Sequence, residues 1–236
     1  MLILMRHNLR IVAPTLLWTG ILVFILVALV LLAQFSASSH FKVETAGTLA
    51  EQFIPLIAAF FSAGVLDAEM KRGAHELLRS KYRPLWHTLL YRLVVSLLLA
   101  LLVGTIMLGA LHWGVKRLPL GMLLLASIPS ALCLALISLW TRLRLGNAFM
   151  GYMAALAVWL ANLVMTTIET GLGGIVINPL LTMTSYTHRL HAEAAGALET
   201  TPFVDWWWVS KIALMVVSAI IFYSVTRRVE NLVEAD

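Results

Sequence analysis

The residues best suited to chemistry are few and widely spaced. His188, His191 and Glu193 read H-x-x-H-x-E, and His40 and His112 fall on the same predicted side of the chain. Imidazoles three apart on a helix share a face and can bind a transition metal, which raises metal or haem handling by an intramembrane enzyme. The usual zinc-protease spacing of four with an intervening Glu is absent. The pattern therefore reads better as solvated polar residues of an external helical segment, roughly Tyr186 to Leu198, and no metal site is assigned. Asn162, Thr166 and Thr167 recur at spacings of four and one on one apolar run. They are candidate substrate-lining residues, or they hydrogen-bond a neighbouring helix, the reading preferred here. Glu169 ends that run and reaches water. Ser96, Ser127 and Ser138 lie on apolar faces with no His and acidic partner near them in sequence, so no nucleophile triad emerges and no catalytic residue is assigned. Cys133 is the single cysteine, which excludes an intrachain disulfide framework and a cysteine-based zinc site.

The elements that must position these groups are set by composition. Of 236 residues, 61% are hydrophobic and 12% charged, against about 45–50% and about 25% in a soluble domain. Mean hydropathy is +0.90. A soluble globule is excluded, and the expected fold is an all-α integral membrane protein forming a single transmembrane domain over residues 1–236. The formal charge of +5 is explained by topology, since no basic patch interleaved with aromatics suggests nucleic acid. A spanning helix needs about 20 apolar residues. Ile11 to Phe35, Leu93 to Val115, Leu118 to Thr141 and Leu145 to Ile168 are uncharged, and Trp206 to Thr226 holds only Lys211, expected to snorkel from near its end. Thr48 to Leu66 supplies a sixth span, with Pro55 expected in its first turns. Six transmembrane helices result.

The run Thr170 to Thr187 is long enough to cross but carries Gly171, Gly173, Gly174 and Asn178-Pro179, which break helices. With six spans and a cytoplasmic N-terminus, twelve Lys and Arg residues fall inside: Arg6, Arg10, Lys71, Arg72, Arg79, Lys81, Arg83, Arg92, Arg142, Arg144, Arg227 and Arg228. Five fall outside: Lys42, Lys116, Arg117, Arg189 and Lys211. A seventh crossing would move Arg227 and Arg228 to the wrong side. Residues 169–205 are therefore read as an outer re-entrant or external segment between spans five and six, leaving both termini cytoplasmic. Residues 1–10 read as an interfacial helix, with Leu2, Met5 and Leu9 opposite Arg6 and Arg10. The apolar core that follows is too long for a signal peptide. Trp206, Trp207 and Trp208, with Trp86 and Trp113, fit aromatic belts at the membrane interfaces.

The longest cytoplasmic connection, Gly64 to Arg83, is patterned. Leu66, Met70, Ala74, Leu77 and Leu78 form an apolar stripe at helical spacing. Arg72 and Glu76 stand four apart, and Glu76 and Arg79 three apart, as suits an exposed helix. Something cytoplasmic can dock there; the plainer reading is a salt-bridged loop helix at the lipid headgroups. Glu69, Gly73, Glu76, Leu77 and Leu78 read E-x-x-x-G-x-x-E-L-L directly after the second span, ahead of a basic, proline-containing entry to the third. In this motif and in its six-span plan, the chain resembles the membrane subunits of ABC-2 type transporters.

The resemblance implies an exporter permease of the plasma (inner) membrane in which residues 67–83 form a cytoplasmic coupling helix seated on a separate ABC ATPase subunit. Glu69, Arg72, Gly73, Glu76, Leu77 and Leu78 are the implied ATPase-coupling residues, with Gly73 allowing close backbone approach. No G-x-x-x-x-G-K-[ST] loop occurs in these residues, so ATP and Mg would sit on the partner ATPase, present in two copies. A second permease chain, identical or related, and membrane lipid complete the implied partners. The nearly uncharged interior argues for an apolar or amphipathic substrate such as a lipid, peptide or drug. The alternative in a different class is a non-catalytic membrane partner or immunity-type protein.

Overall fold

A computed structural model describes residues 43–65, 85–114, 117–167 and 207–234. Among them there are five α-helices and no strand: α1, Val43–Ala63; α2, Leu85–Gly114; α3, Leu120–Leu145; α4, Ala148–Thr167; and α5, Trp207–Glu234. Three are long and apolar enough to cross a membrane, over Leu89–Gly114, Leu120–Leu145 and Lys211–Val229. α1 and α4 carry shorter described apolar stretches, Leu49–Ala63 and Ala148–Asn162, within helices of 21 and 20 residues. The first apolar run, the interfacial helix at 1–10, the coupling helix at 67–83 and the re-entrant segment at 169–205 lie outside the described residues.

Tight turns set two of the helix pairs. α3 ends at Gly146, whose φ of 70° is the left-handed conformation that glycine adopts without strain, and its N–H closes onto the Arg142 carbonyl at 2.7 Å. Asn147 then accepts the Phe149 N–H through Oδ1 at 3.0 Å, capping α4. The chain reverses across two residues, so α3 and α4 are antiparallel neighbours. Between α2 and α3, the Leu118 N–H donates to His112 Nδ1 at 2.8 Å. His112 is thus an acceptor that closes a hairpin, which gives its ring a structural task.

The long-range contacts fix the directions. The C-terminal end of α1 meets that of α3 through Arg142 and Ala63, and the N-terminal parts of α1 and α5 meet through Glu51 and Lys211. Leu89 at the start of α2 clusters with Leu139 and Leu143 near the end of α3 and with Val225 of α5. Hence α1, α3 and α5 run one way and α2 and α4 the other, with α3 touching all four other helices. Small residues let the helices approach closely: Ala46, Ala50, Ala58 and Ala59 of α1 are buried, and a Cβ added at Gly151 of α4 would lie 2.7 Å from the Ser138 carbonyl oxygen.

The lipid-facing sides are as legible. Leu90, Val94, Leu98, Leu102 and Ile106 of α2 are exposed at a constant spacing of four, and Ile212, Val216 and Ile220 of α5 likewise. In water such stripes would be unfavourable; against acyl chains they are the expected surface. Trp113 and Trp208 at helix ends are exposed too, as an interfacial belt requires.

Pro55 departs from expectation. Because α1 begins at Val43, Pro55 falls inside the helix and not in its first turns. With no N–H, it cannot make the helical bond to the Glu51 carbonyl one turn back.

Candidate functional site

Among the described residues four charged side chains are buried in this apolar bundle: Glu51, near the middle of α1, meets Lys211 from the start of α5, and Arg92 and Arg142 lie at the C-terminal end of α1. Ionisable groups at membrane depth are rare because they are costly, so their arrangement is the strongest functional signal in the fold.

Near the middle of α1, Lys211 Nζ lies 2.7 Å from Glu51 Oε1, with side-chain exposures of 6% and 1%. This is a short, charge-assisted contact between helices separated by most of the chain. It corrects the expectation that Lys211 snorkels. A lysine near a span end can reach headgroup water or turn inward, and here an inward carboxylate decides the matter. Each charge makes the other tolerable: removing one partner of such a pair leaves a buried, uncompensated ion, costing about 3–5 kcal/mol. Beside it, the Trp159 indole N–H of α4 donates to the Gln52 carbonyl at 3.0 Å, and its ring stands 6.1 Å from that of Phe53. Asn162, one turn further along α4, is fully buried.

At the C-terminal end of a helix the last carbonyls lack the partners that the next turn would supply; here the Ser62 carbonyl accepts the Val65 N–H at 3.1 Å. Arg142 of α3 donates from Nη1 to the Ala63 carbonyl at 2.5 Å. Arg92 of α2 donates from Nη1 to the Val65 carbonyl at 2.9 Å. Two guanidinium groups from two helices therefore sit at the negative pole of α1, where the helix dipole favours cations. Both were expected among the cytoplasmic loop charges; both are instead buried within helices, held inward by the Ala63 carbonyl at the end of α1 and the Val65 carbonyl just beyond it. Just before them, the Ser62 hydroxyl lies 2.9 Å from the Ala59 carbonyl and 2.8 Å from the Ala135 carbonyl of α3. One end of α1 is thus tied to both α2 and α3.

The remaining candidates separate cleanly. Ser96 and Ser127 donate to carbonyls of their own helices, at 2.7 Å to Leu93 and 2.8 Å to Leu123, while Ser138 reaches the Gly151 carbonyl at 3.1 Å. These hydroxyls serve packing. Thr166 and Thr167 fall in the last turn of α4. Among the described residues no group of three His, Cys, Asp or Glu side chains could hold a metal ion. The coupling residues Glu69, Arg72, Gly73, Glu76, Leu77 and Leu78 lie outside the described residues, as do Arg6, Arg10, His40, Glu169, His188, His191 and Glu193.

Sequence reasoning missed the Glu51–Lys211 pair. The available signal was that Glu51 is the one acid within the apolar part of α1 and Lys211 the one base in the run Trp206 to Thr226. Nothing local joins them. No family model matches the chain, and no curated protein or solved structure matches it.

Proposed function

We propose that this chain is a membrane-spanning permease subunit of an ABC-2 type, ATP-driven exporter. In this reading it has six spans in the plasma (inner) membrane with both termini cytoplasmic. It pairs with an identical or related permease chain, and two copies of a separate ATPase hydrolyse ATP with Mg. The substrate is apolar or amphipathic: a lipid, a peptide or a drug.

The observation that carries the reading is the anchoring of α1. Residues 67–83, with the E-x-x-x-G-x-x-E-L-L pattern, follow directly from the end of α1 that Arg92 and Arg142 hold. A helix moved by an ATPase is useful only if its displacement passes into the spans. A chain end gripped by two neighbouring helices transmits a push to both, whereas a free end would absorb it. Orientation agrees: with α1 running inward, Arg92, Arg142, Arg144 and Arg227 all fall on the cytoplasmic half, as the positive-inside rule favours. ATP then acts by favouring one of two packings of the spans.

The test is mass spectrometry of what co-purifies with the tagged chain from its native membrane in mild detergent. The expected result is a near-stoichiometric subunit carrying a G-x-x-x-x-G-K-[ST] loop, lost when Glu69→Lys and Gly73→Trp are combined although the chain still inserts. Absence of that subunit across several detergents, or its undiminished recovery with the double variant, overturns the reading.

A further inference from the structure

We propose that the Glu51–Lys211 pair is a latch that holds α5 on the bundle, and that α5 is the helix that swings away when the latch opens. The argument rests on packing alone and stands independently of the transport reading.

α5 is the most weakly held of the spanning helices. Only 17% of its apolar window is buried, against 50% for α3 and 39% for α2. Its buried residues, Lys211, Leu214, Ser218 and Val225, form one narrow stripe, set mainly against α3. Lys211 heads that stripe and is the part of it that reaches across to α1. Further down, Ser218 donates to the Leu214 carbonyl of its own helix at 2.7 Å, which adds nothing across the interface by itself. The face turned away, from Ile212 to Tyr223, is exposed and apolar, so no protein contact among the described residues resists an outward swing.

An ion pair suits this task better than an apolar contact. In a dry, low-dielectric site the pair is strongly attractive, and once water enters each charge is solvated separately. Two states follow, one dry and paired, one wet and parted. On α1 the missing helical bond between Pro55 and the Glu51 carbonyl removes one restraint on bending at that turn.

The chain carries its own reporter. Cys133 of α3 is buried beside Ser218 of α5, so its thiol is expected to meet water when α5 leaves α3. Full-length chain in lipid nanodiscs is treated with N-ethylmaleimide and labelling of Cys133 is followed over time. Glu51→Gln leaves Lys211 without its counter-charge, and labelling is expected to speed up by about tenfold or more. The charge swap combining Glu51→Lys with Lys211→Glu is expected to bring it back toward the native rate. A second reporter, Ser62→Cys in a Cys133→Ser background, sits between α1 and α3 and is expected to stay protected in Glu51→Gln. Unchanged Cys133 labelling in Glu51→Gln, no recovery in the swap, or equal exposure of both reporters overturns the proposal; the last would mean that the pair holds the whole bundle.

Discussion

Gly151→Ala is expected to part α4 from α3, by an amount that can be worked out from the geometry. A Cβ at Gly151 would stand 2.7 Å from the Ser138 carbonyl oxygen and 3.3 Å from both Ser138 Oγ and Arg142 Cβ, where ordinary contact begins at 3.4 Å. The obstruction is helical backbone of α3, which cannot rotate aside, so α4 must retreat by about half an ångström or more. Overpacking of this kind costs about 1–3 kcal/mol. The retreat also weakens the bond from Ser138 Oγ to the Gly151 carbonyl, 3.1 Å long, worth about 1 kcal/mol. Against this stands a gain of up to about 1 kcal/mol for replacing a helical glycine by alanine. The net loss is about 1–3 kcal/mol.

Two other glycines calibrate the figure. At Gly104 the new Cβ meets Ile54 Cδ1 at 2.5 Å and Cγ1 at 2.7 Å, a side chain that can turn but is itself fully buried; at Gly109 it meets nothing within 4 Å. Reversible unfolding in mixed micelles of mild detergent and dodecyl sulfate should therefore rank the alanine variants Gly109 most stable, Gly104 between and Gly151 least. If Gly151→Ala is as stable as Gly109→Ala, the close approach of α3 and α4 is refuted.

Further expectations use the same assay. Arg142→Met strips the Ala63 carbonyl of its donor and is expected to lose about 1–3 kcal/mol; Arg142→Lys recovers only part of it, because a point-like ammonium does not reproduce the planar guanidinium fork. Trp159→Phe keeps the ring beside Phe53 but removes the donation to Gln52, for a loss of about 0.5–1.5 kcal/mol, whereas Trp159→Ala is expected to lose about 3–5 kcal/mol. No difference between these two variants would discount the ring packing. In the membrane, a cysteine at Asn231 in a Cys133→Ser background is expected to react with an impermeant maleimide only from the cytoplasmic side. Reaction from outside would overturn the orientation proposed for α5.

Much of the helical layout was legible in the sequence because the hydrophobic signal is long and one-dimensional. The runs Leu93 to Val115, Leu118 to Thr141, Leu145 to Ile168 and Trp206 to Thr226 each lie largely within a helix, and the turn at Gly146-Asn147 comes just after the break at Arg142 to Arg144, inside the run that begins at Leu145. Helix ends were less legible. α2 starts at Leu85 and α5 runs to Glu234, since helices continue past the hydrocarbon with polar residues that hydropathy discounts. The buried charges were the least legible part. Charge counting treats each Lys or Arg as a label for one side of the membrane, and so placed Arg92 and Arg142 in loops and Lys211 at a headgroup. Whether a long basic side chain points out or in depends on an acceptor elsewhere in the chain. For Arg142 that acceptor is the carbonyl of Ala63, and for Lys211 the carboxylate of Glu51, 160 residues away. No periodicity records such pairings. Asn162 was assigned to the right helix, and its complete burial depends on the helices around α4, which the pattern of α4 alone does not specify.

The distance along the chain between Glu51 and Lys211 also sets a schedule for biogenesis. The ribosome adds about 5–20 residues per second, so a gap of 160 residues keeps Glu51 waiting for roughly ten to thirty seconds before its counter-charge is made. Throughout that interval α1 offers the translocon a short apolar segment bearing a lone carboxylate, the kind of span that inserts poorly by itself. The ion pair forms only once α5 is synthesised. A nascent chain stopped short of Lys211 leaves Glu51 without that counter-charge.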